Sequence, residues 1–284
     1  MMPQSLVDGG VPVKINKNWA LTKNKGKKGM AIFRNDPDRD WERFGAEDPY
    51  YSVLNTETYK KEFLTDALRA QVLETGEVST QTFLNFAQQH FNGMTMGRAL
   101  EFGCGVGRMS IALARRFQHI CALDISPSML AEAQANSQQQ GITNIEFALS
   151  DDNLSRIEGK FDFALSYLVF QHIPQKRGAR IICQILGRLN PGGVAALHVT
   201  CYRTSSALRQ TIHIVRRNFL PLHYVANLMS GFRWNEPLMQ CNLYRFERLL
   251  QIASEQAIDQ IAMQPILHGD HAGAMIYFHK SRSA

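Results

Sequence analysis

Three things are scarce in this chain of 284 residues. Cysteine is the first. Five residues, Cys104, Cys121, Cys183, Cys201 and Cys241, lie scattered with no CxxC pair. That spacing excludes a disulfide framework or a paired-cysteine zinc site and fits reduced thiols. Long apolar runs are the second. None reaches membrane-spanning length and the N-terminus has no signal-type apolar stretch, so the expectation is a cytoplasmic protein without a transmembrane segment. The third is acid where base collects. Residues 1–30 hold six lysines against one aspartate, Asp8. Residues 202–233 hold Arg203, Arg209, Arg216, Arg217 and Arg233 with no carboxylate. The whole chain is only +6, so the rest of it is net acidic. This argues against a nucleic-acid-binding body and leaves a basic tail and a basic insertion. No internal repeat is present.

What the chain does have is apolar residues, 45% of the total, enough for a full core. It also has one dense stretch, Arg98-Ala-Leu-Glu-Phe-Gly-Cys-Gly-Val-Gly-Arg108. An apolar run enters it and an amphipathic pattern leaves it. Glycines at alternate positions let the backbone turn tightly, and a strand–turn–helix of this kind can lay a polar ligand against the main chain. From there strand and helix alternate. Strands are expected at 99–102, 119–123, 144–148, 161–166 and 194–199, with helices at 106–117, 127–140 and 175–189 between them. Continuous apolar strands joined by helices imply a parallel sheet covered on both faces. Upstream, 56–74 and 79–91 read as two helices, the second capped by Ser79 or Thr80. Downstream, 203–232 shows an apolar stripe at helical spacing, broken at Pro221 and expected to pack on the body. A helix at 243–256 and strands at 259–266 and 273–279, an antiparallel hairpin, complete the pattern. The organisation is a basic flexible tail (1–35), a helical cap (36–97), a core (98–202), a lid insertion (203–242) and a closing helix and hairpin (243–284).

The glycine turn lacks a dinucleotide fingerprint, because the sixth position from Gly103 is Arg108 rather than glycine. No Gly-Lys-Ser/Thr follows, which excludes a P-loop. Glu-Phe-Gly-Cys-Gly-Val-Gly-Arg instead resembles motif I of class I methyltransferases, which bind S-adenosylmethionine. The resemblance runs in register over about 99–200. It implies a Rossmann-like, seven-stranded, mostly parallel sheet whose last strand, from the hairpin, is reversed. It implies that Glu101, Gly103, Cys104 and Gly105 face the methionine part of the cofactor. Asp124 would hold the ribose hydroxyls, and a carboxylate suits a vicinal diol because it accepts two hydrogen bonds. Ile125 and Met129 would pack on adenine, Ser150 and Asp151 would read its polar edge, and Ser166, Tyr167 and Gln171 would complete the cofactor site. The Phe161–Ser166 strand and the Pro191-Gly192-Gly193 turn match later motifs.

The acceptor is read from the segment after strand four, Ser166-Tyr-Leu-Val-Phe-Gln-His-Ile-Pro174. The Asn/Asp-Pro-Pro-Tyr/Phe run of amine methyltransferases is missing, and so is the aspartate of metal-dependent O-methyltransferases; no metal is expected. Gln171-His172-Ile173-Pro174 resembles the loop of small-molecule and glycan O-methyltransferases. His172 is then a candidate base for a hydroxyl, since imidazole titrates near neutrality. His268 and His271 are the alternative, because the loop after a parallel strand six lies on the ligand side of the sheet. Tyr51, Tyr202, Arg203 and Tyr244 are candidate acceptor contacts. The expected partner is a small polar or sugar-containing acceptor with no stable nucleic-acid complex. An RNA or protein methyltransferase, or a non-catalytic scaffold that keeps the cofactor, stays open as an alternative.

Overall fold

The computed structural model describes residues 36–203, 212, 215–216, 219–229, 231, 233–268 and 271–282. The lysine-rich tail, Arg209, Arg217, Gly269, Asp270 and the side chain of His268 lie outside them.

Seven strands form one sheet: β1 (Arg98–Phe102), β2 (His119–Asp124), β3 (Ile145–Leu149), β4 (Phe161–Ser166), β5 (Leu189–Arg203), β6 (Gln260–His268) and β7 (His271–His279). Their order is β3-β2-β1-β4-β5-β7-β6. The β1, β2, β3, β4 and β5 pairings are parallel, and β7 runs antiparallel between β5 and β6. β6 is therefore parallel to β1, and its C-terminal end lies on the same side as the glycine turn. Strand β4 is buried along its whole length, and β1 and β2 are buried after their first residue. This is the continuous apolar pattern of a two-faced sheet. One face carries Leu100, Leu123, Phe161 and Leu197 under α6 (Gln175–Gly187) and α8 (Phe246–Glu255). The other carries Ala99, Ala122, Phe163 and Tyr277 under α3 (Asp66–His90) and α4 (Arg108–Ala114).

The two helices expected at 56–74 and 79–91 are a single helix. α3 runs for 25 residues, is capped by Thr65, and buries Thr80 in its interior. A short 3-10 turn at Glu57–Tyr59 precedes it. Gly76 does not break it. A Cβ there would lie 2.2 Å from the Arg108 carbonyl oxygen, so the glycine lets α3 cross the start of α4 at close range. The helix expected from Val106 starts at Arg108, because Gly107 sits at φ 81° as its N-cap. β5 begins at Leu189 rather than Val194. The Pro191-Gly192-Gly193 turn is absorbed as an irregularity between the pairs Phe161–Leu189 and Phe163–Val194.

The cap holds α1 (Pro37–Glu47) and α2 (Pro49–Leu54). Glu42 of α1 accepts from the Ser126 hydroxyl at 2.6 Å and the Ser128 hydroxyl at 2.7 Å. Both serines open α5 (Pro127–Gln139), a helix N-terminus that favours a carboxylate. Tyr50, Val72, Val106 and Met129 form a small apolar cluster that seats the cap on the body. Among the described residues, the apolar stripe of the insertion does not pack inward as expected; Leu208 and Phe232 of that stripe lie outside them. On α7 (Leu220–Met229) the buried residues are His223 and Asn227.

Candidate active site

The C-terminal ends of β1, β2 and β4 open onto a cavity of about 660 Å³ beneath the cap, within the range of roughly 300–1,000 Å³ usual for small-ligand sites. Glu101, Gly103, Cys104, Gly105, Asp124, Ile125, Met129, Ser150, Asp151, Tyr167, Gln171 and His172 all line it. Most of the proposed cofactor set therefore shares one space. Ser166 does not line it. Its buried hydroxyl donates to the Phe102 carbonyl at 2.9 Å and ties β4 to β1.

Gly103 sits at φ 80° and Gly105 at φ 53°, the left-handed region that glycine occupies freely. A Cβ on Gly103 would come within 2.4 Å of Val169. The turn closes on Asp124, whose carboxylate accepts from the Gly105 N–H at 2.8 Å and the Ser126 N–H at 3.0 Å. Burial raises its pKa against those hydrogen bonds. Glu101 is buried more deeply in its effect: desolvation pushes it up to about 8, although the Ser110 hydroxyl donates to it and Arg108 attracts it. Arg108, itself buried, also lines the cavity, and burial pulls its guanidinium down against the attraction of Glu101. An acid and a base thus face the same end of the cleft with little water around them.

Asp151 lines the other end, but its carboxylate is engaged by its own loop. It accepts from the N–H groups of Asn153 and Ser155 and from the Ser155 hydroxyl. Burial acts to raise its pKa, yet these bonds hold it below the ordinary value. The neighbouring Asp152 is bound by Arg177, which also takes Asp38 of α1 through two contacts at 2.8 and 3.1 Å. Arg177 therefore fastens the cap across the cavity edge.

Near β4 the cavity meets a second one of about 370 Å³, and Asn55, Gln171, His172, Met239 and His271 line both. The His172 ring lies 4.8 Å from Trp41. Its Nδ1 is 2.7 Å from the Gln240 carbonyl oxygen, so Nδ1 carries the proton and Nε2 is the basic atom. Gln171 donates to that Nε2 at 3.1 Å, its amide being oriented by the Thr200 hydroxyl, which donates to Oε1. Arg203 donates to His271 Nε2 at 3.1 Å. Tyr51 lines the second cavity. Arg203 lines neither cavity itself and reaches them through His271, and two further expected acceptor contacts do not belong here. Tyr202 is 64% exposed beside a register irregularity of β5 and lines neither cavity. Tyr244 is buried in the core and donates to the Ile173 carbonyl at 3.0 Å.

Sequence reasoning passed over Arg108, Asn55 and Arg177. Arg108 was noticed only as a missing glycine. The others sit in the cap or in α6, and no motif spacing marks them. Among the described residues, His119, Cys121 and Glu146 form the one cluster with metal-ligand chemistry. It lies outside both cavities, and the Arg98 guanidinium contacts the Cys121 thiol at 3.6 Å. Burial pushes that thiol up to about 11.

The strand order, the reversed β7 and the glycine turn closing on the β2 carboxylate define the class I methyltransferase fold. Residues 99–193 match the family model described as a methyltransferase domain. Over 112 residues the chain is 27% identical to the ubiquinone biosynthesis O-methyltransferase of Acinetobacter baylyi, covering 39% of this chain and 46% of that protein. Over 104 residues it is 33% identical to the trans-aconitate 2-methyltransferase of Deinococcus radiodurans, covering 36% and 37%. The matches thus span less than half the length of these relatives. The magnesium protoporphyrin IX methyltransferase of Synechocystis, solved with bound S-adenosylmethionine, superposes at a TM-score of 0.53. It is 15% identical, over 87% of this chain and 98% of that one, which is a likeness of fold.

Proposed function

We propose that the chain transfers the methyl group of S-adenosylmethionine to a hydroxyl of a small polar acceptor, such as a sugar hydroxyl, held in the second cavity. The observation that carries this reading is the junction of the two cavities at Gln171, His172 and His271. The cofactor supplies an activated methyl on a sulfonium. Beyond the backbone N–H groups it already accepts, the Asp124 carboxylate keeps acceptor capacity for a ribose hydroxyl. Glu101 and Arg108 suit the ammonium and carboxylate of an amino-acid end, each binding its opposite charge in a water-poor site. Ile125 and Met129 offer apolar surface to the adenine.

His172 is the better base of the two candidates. Its Nδ1 proton is fixed on Gln240, which leaves Nε2 to take the acceptor's proton once Gln171 yields. As the new O–CH₃ bond forms, the S–CH₃ bond breaks and its electron pair stays on sulfur. His271 Nε2 already accepts from the Arg203 guanidinium, so that nitrogen is engaged. It is the more natural orienting group. The volume of the second cavity, about 370 Å³, suits a small acceptor.

Calorimetry with S-adenosylhomocysteine tests the cofactor half: binding by the wild type, weakened roughly tenfold or more by Asp124→Ala. Folded wild-type protein that does not bind overturns the reading. Single turnover on a panel of hydroxyl acceptors tests the base. His172→Ala should slow methyl transfer about 10²-fold or more with S-adenosylhomocysteine affinity unchanged. Unaltered turnover would remove His172 from the chemistry.

A further inference from the structure

At the start of β2 and β3, away from the strand ends that open onto the cleft, three side chains of different chemistry converge. Residues two apart on a strand share a face, so His119 and Cys121 of β2 point the same way. The parallel register sets Glu146 of β3 opposite Cys121 and brings its carboxylate to that face. Glu146 Oε2 lies 3.4 Å from His119 Nε2 and 3.6 Å from Cys121 Sγ, and the three ligand atoms fall within 4.8 Å of one another. The His119 and Glu146 side chains are 39% and 50% exposed, whereas Cys121 is fully buried. Solvent therefore reaches the group from the imidazole and carboxylate side.

Imidazole, thiolate and carboxylate together are a ligand set for a borderline-soft divalent ion. A tetrahedral zinc ion at its usual bond lengths holds a nitrogen and an oxygen ligand about 3.3–3.4 Å apart, and a sulfur and an oxygen about 3.5–3.6 Å apart. Both observed separations agree with these. The 3.4 Å imidazole–carboxylate distance is long for a hydrogen bond, which prefers about 2.7–3.2 Å. It is the spacing of two ligands on one ion. Charge balances as well, since the thiolate and the carboxylate cancel the two charges of the ion. Arg98 of β1 then faces a neutral centre. Its guanidinium is held by the Glu158 carbonyl at 3.2 Å and lies over the Phe161 ring at 5.1 Å. Its contact with Cys121 Sγ at 3.6 Å makes it a fixed N–H donor to the ligand sulfur, the kind of outer partner that orients metal ligands. We propose that His119, Cys121 and Glu146 bind one zinc ion or a similar borderline-soft divalent ion, with water as the fourth ligand. Binding displaces the thiol proton to solvent and involves no redox step. The three residues line neither cavity, so the ion is structural. β3 is an edge strand that pairs only with β2, and the ion would staple the two. No sequence spacing announces the group, because Glu146 meets Cys121 only through strand pairing.

Zinc titration of the full chain, freed of bound metal by a chelator and followed by calorimetry, tests this. The expected result is one ion per chain. His119→Ala and Glu146→Gln, at the two exposed positions, should each weaken binding roughly tenfold or more. Cobalt(II) in place of zinc gives a readout specific to sulfur, a thiolate-to-cobalt charge-transfer band in the near ultraviolet that Cys121→Ser removes. Should the buried Cys121→Ser variant fail to fold, the cobalt titration of His119→Ala carries the assignment, its band growing in only at roughly tenfold higher metal. Saturating zinc should raise the melting temperature of the wild type and leave that of Glu146→Gln unmoved, as a staple between strands requires. Absence of zinc binding, an affinity indifferent to both exposed variants, or a cobalt complex without the sulfur band overturns the proposal.

Discussion

At the scale of single residues, Glu101 controls the pH behaviour of the site. Burial lifts its folded pKa from 4.5 to about 8. Between those values the unfolded chain is ionised while the folded one keeps its proton. Stability from this group is therefore greatest at low pH and declines as pH rises from 4.5 through 8. Thermal melts of the ligand-free protein should show that decline, and Glu101→Gln should flatten it. Cofactor binding should run the other way. If Glu101 pairs with an ammonium, S-adenosylhomocysteine affinity rises from about pH 6.5 to about pH 8.5 as the carboxylate ionises, and Glu101→Gln removes the dependence. Asp40 behaves like Glu101 in miniature. It is buried, its Oδ2 has no hydrogen-bond partner among the described residues, and burial raises it to about 6. Asp40→Asn should raise the melting temperature at about pH 7.5 more than at about pH 5. These two acids differ in how far the sequence exposed them. Glu101 precedes a glycine turn and could be picked out by its motif, whereas nothing in Asp40-Trp41-Glu42 says which residue of α1 turns inward.

At the scale of elements, α3 and the cap hold the site together. Replacing a mid-helix glycine with alanine normally gains about 1 kcal/mol. At Gly76 the added Cβ would strike the Arg108 carbonyl, so Gly76→Ala should instead lose roughly 1–3 kcal/mol in urea unfolding. Because the clash displaces the first residue of α4, cofactor affinity should fall with it. The cap is fastened by Arg177 to Asp38 and Asp152, pairs that are partly exposed. Each such pair contributes about 0.5–1 kcal/mol. Arg177→Gln should therefore cost little global stability but speed proteolysis within α1, and S-adenosylhomocysteine should restore protection. The elements of the sheet were legible from apolar runs and glycine stops. The unbroken α3 was not, because a glycine that permits a close crossing looks in sequence like one that ends a helix.

At the scale of the whole molecule, the larger cavity, proposed to hold the cofactor, is built jointly by the sheet ends, the cap and the β6–β7 end of the sheet, with Leu267 and His271 at its wall. Filling it should stabilise all of them together. S-adenosylhomocysteine at about 100 times its Kd adds about 2.7 kcal/mol, or roughly 5 °C in melting temperature for a chain of this size. Asp124→Ala should abolish the shift. Sequence alone determined the α/β alternation, the reversed final strand and the glycine turn after β1. Those features are written in local periodicity and in motifs whose members lie close along the chain. The tertiary structure decided the rest. It put Arg108 and Glu101 at one end of a buried cleft, made Tyr244 a core residue and left Tyr202 in solvent. It joined two cavities at His172 and turned the apolar side of α7 outward. Each of those outcomes depends on which face of an element meets another element distant in sequence, and periodicity marks an apolar face without saying what lies against it.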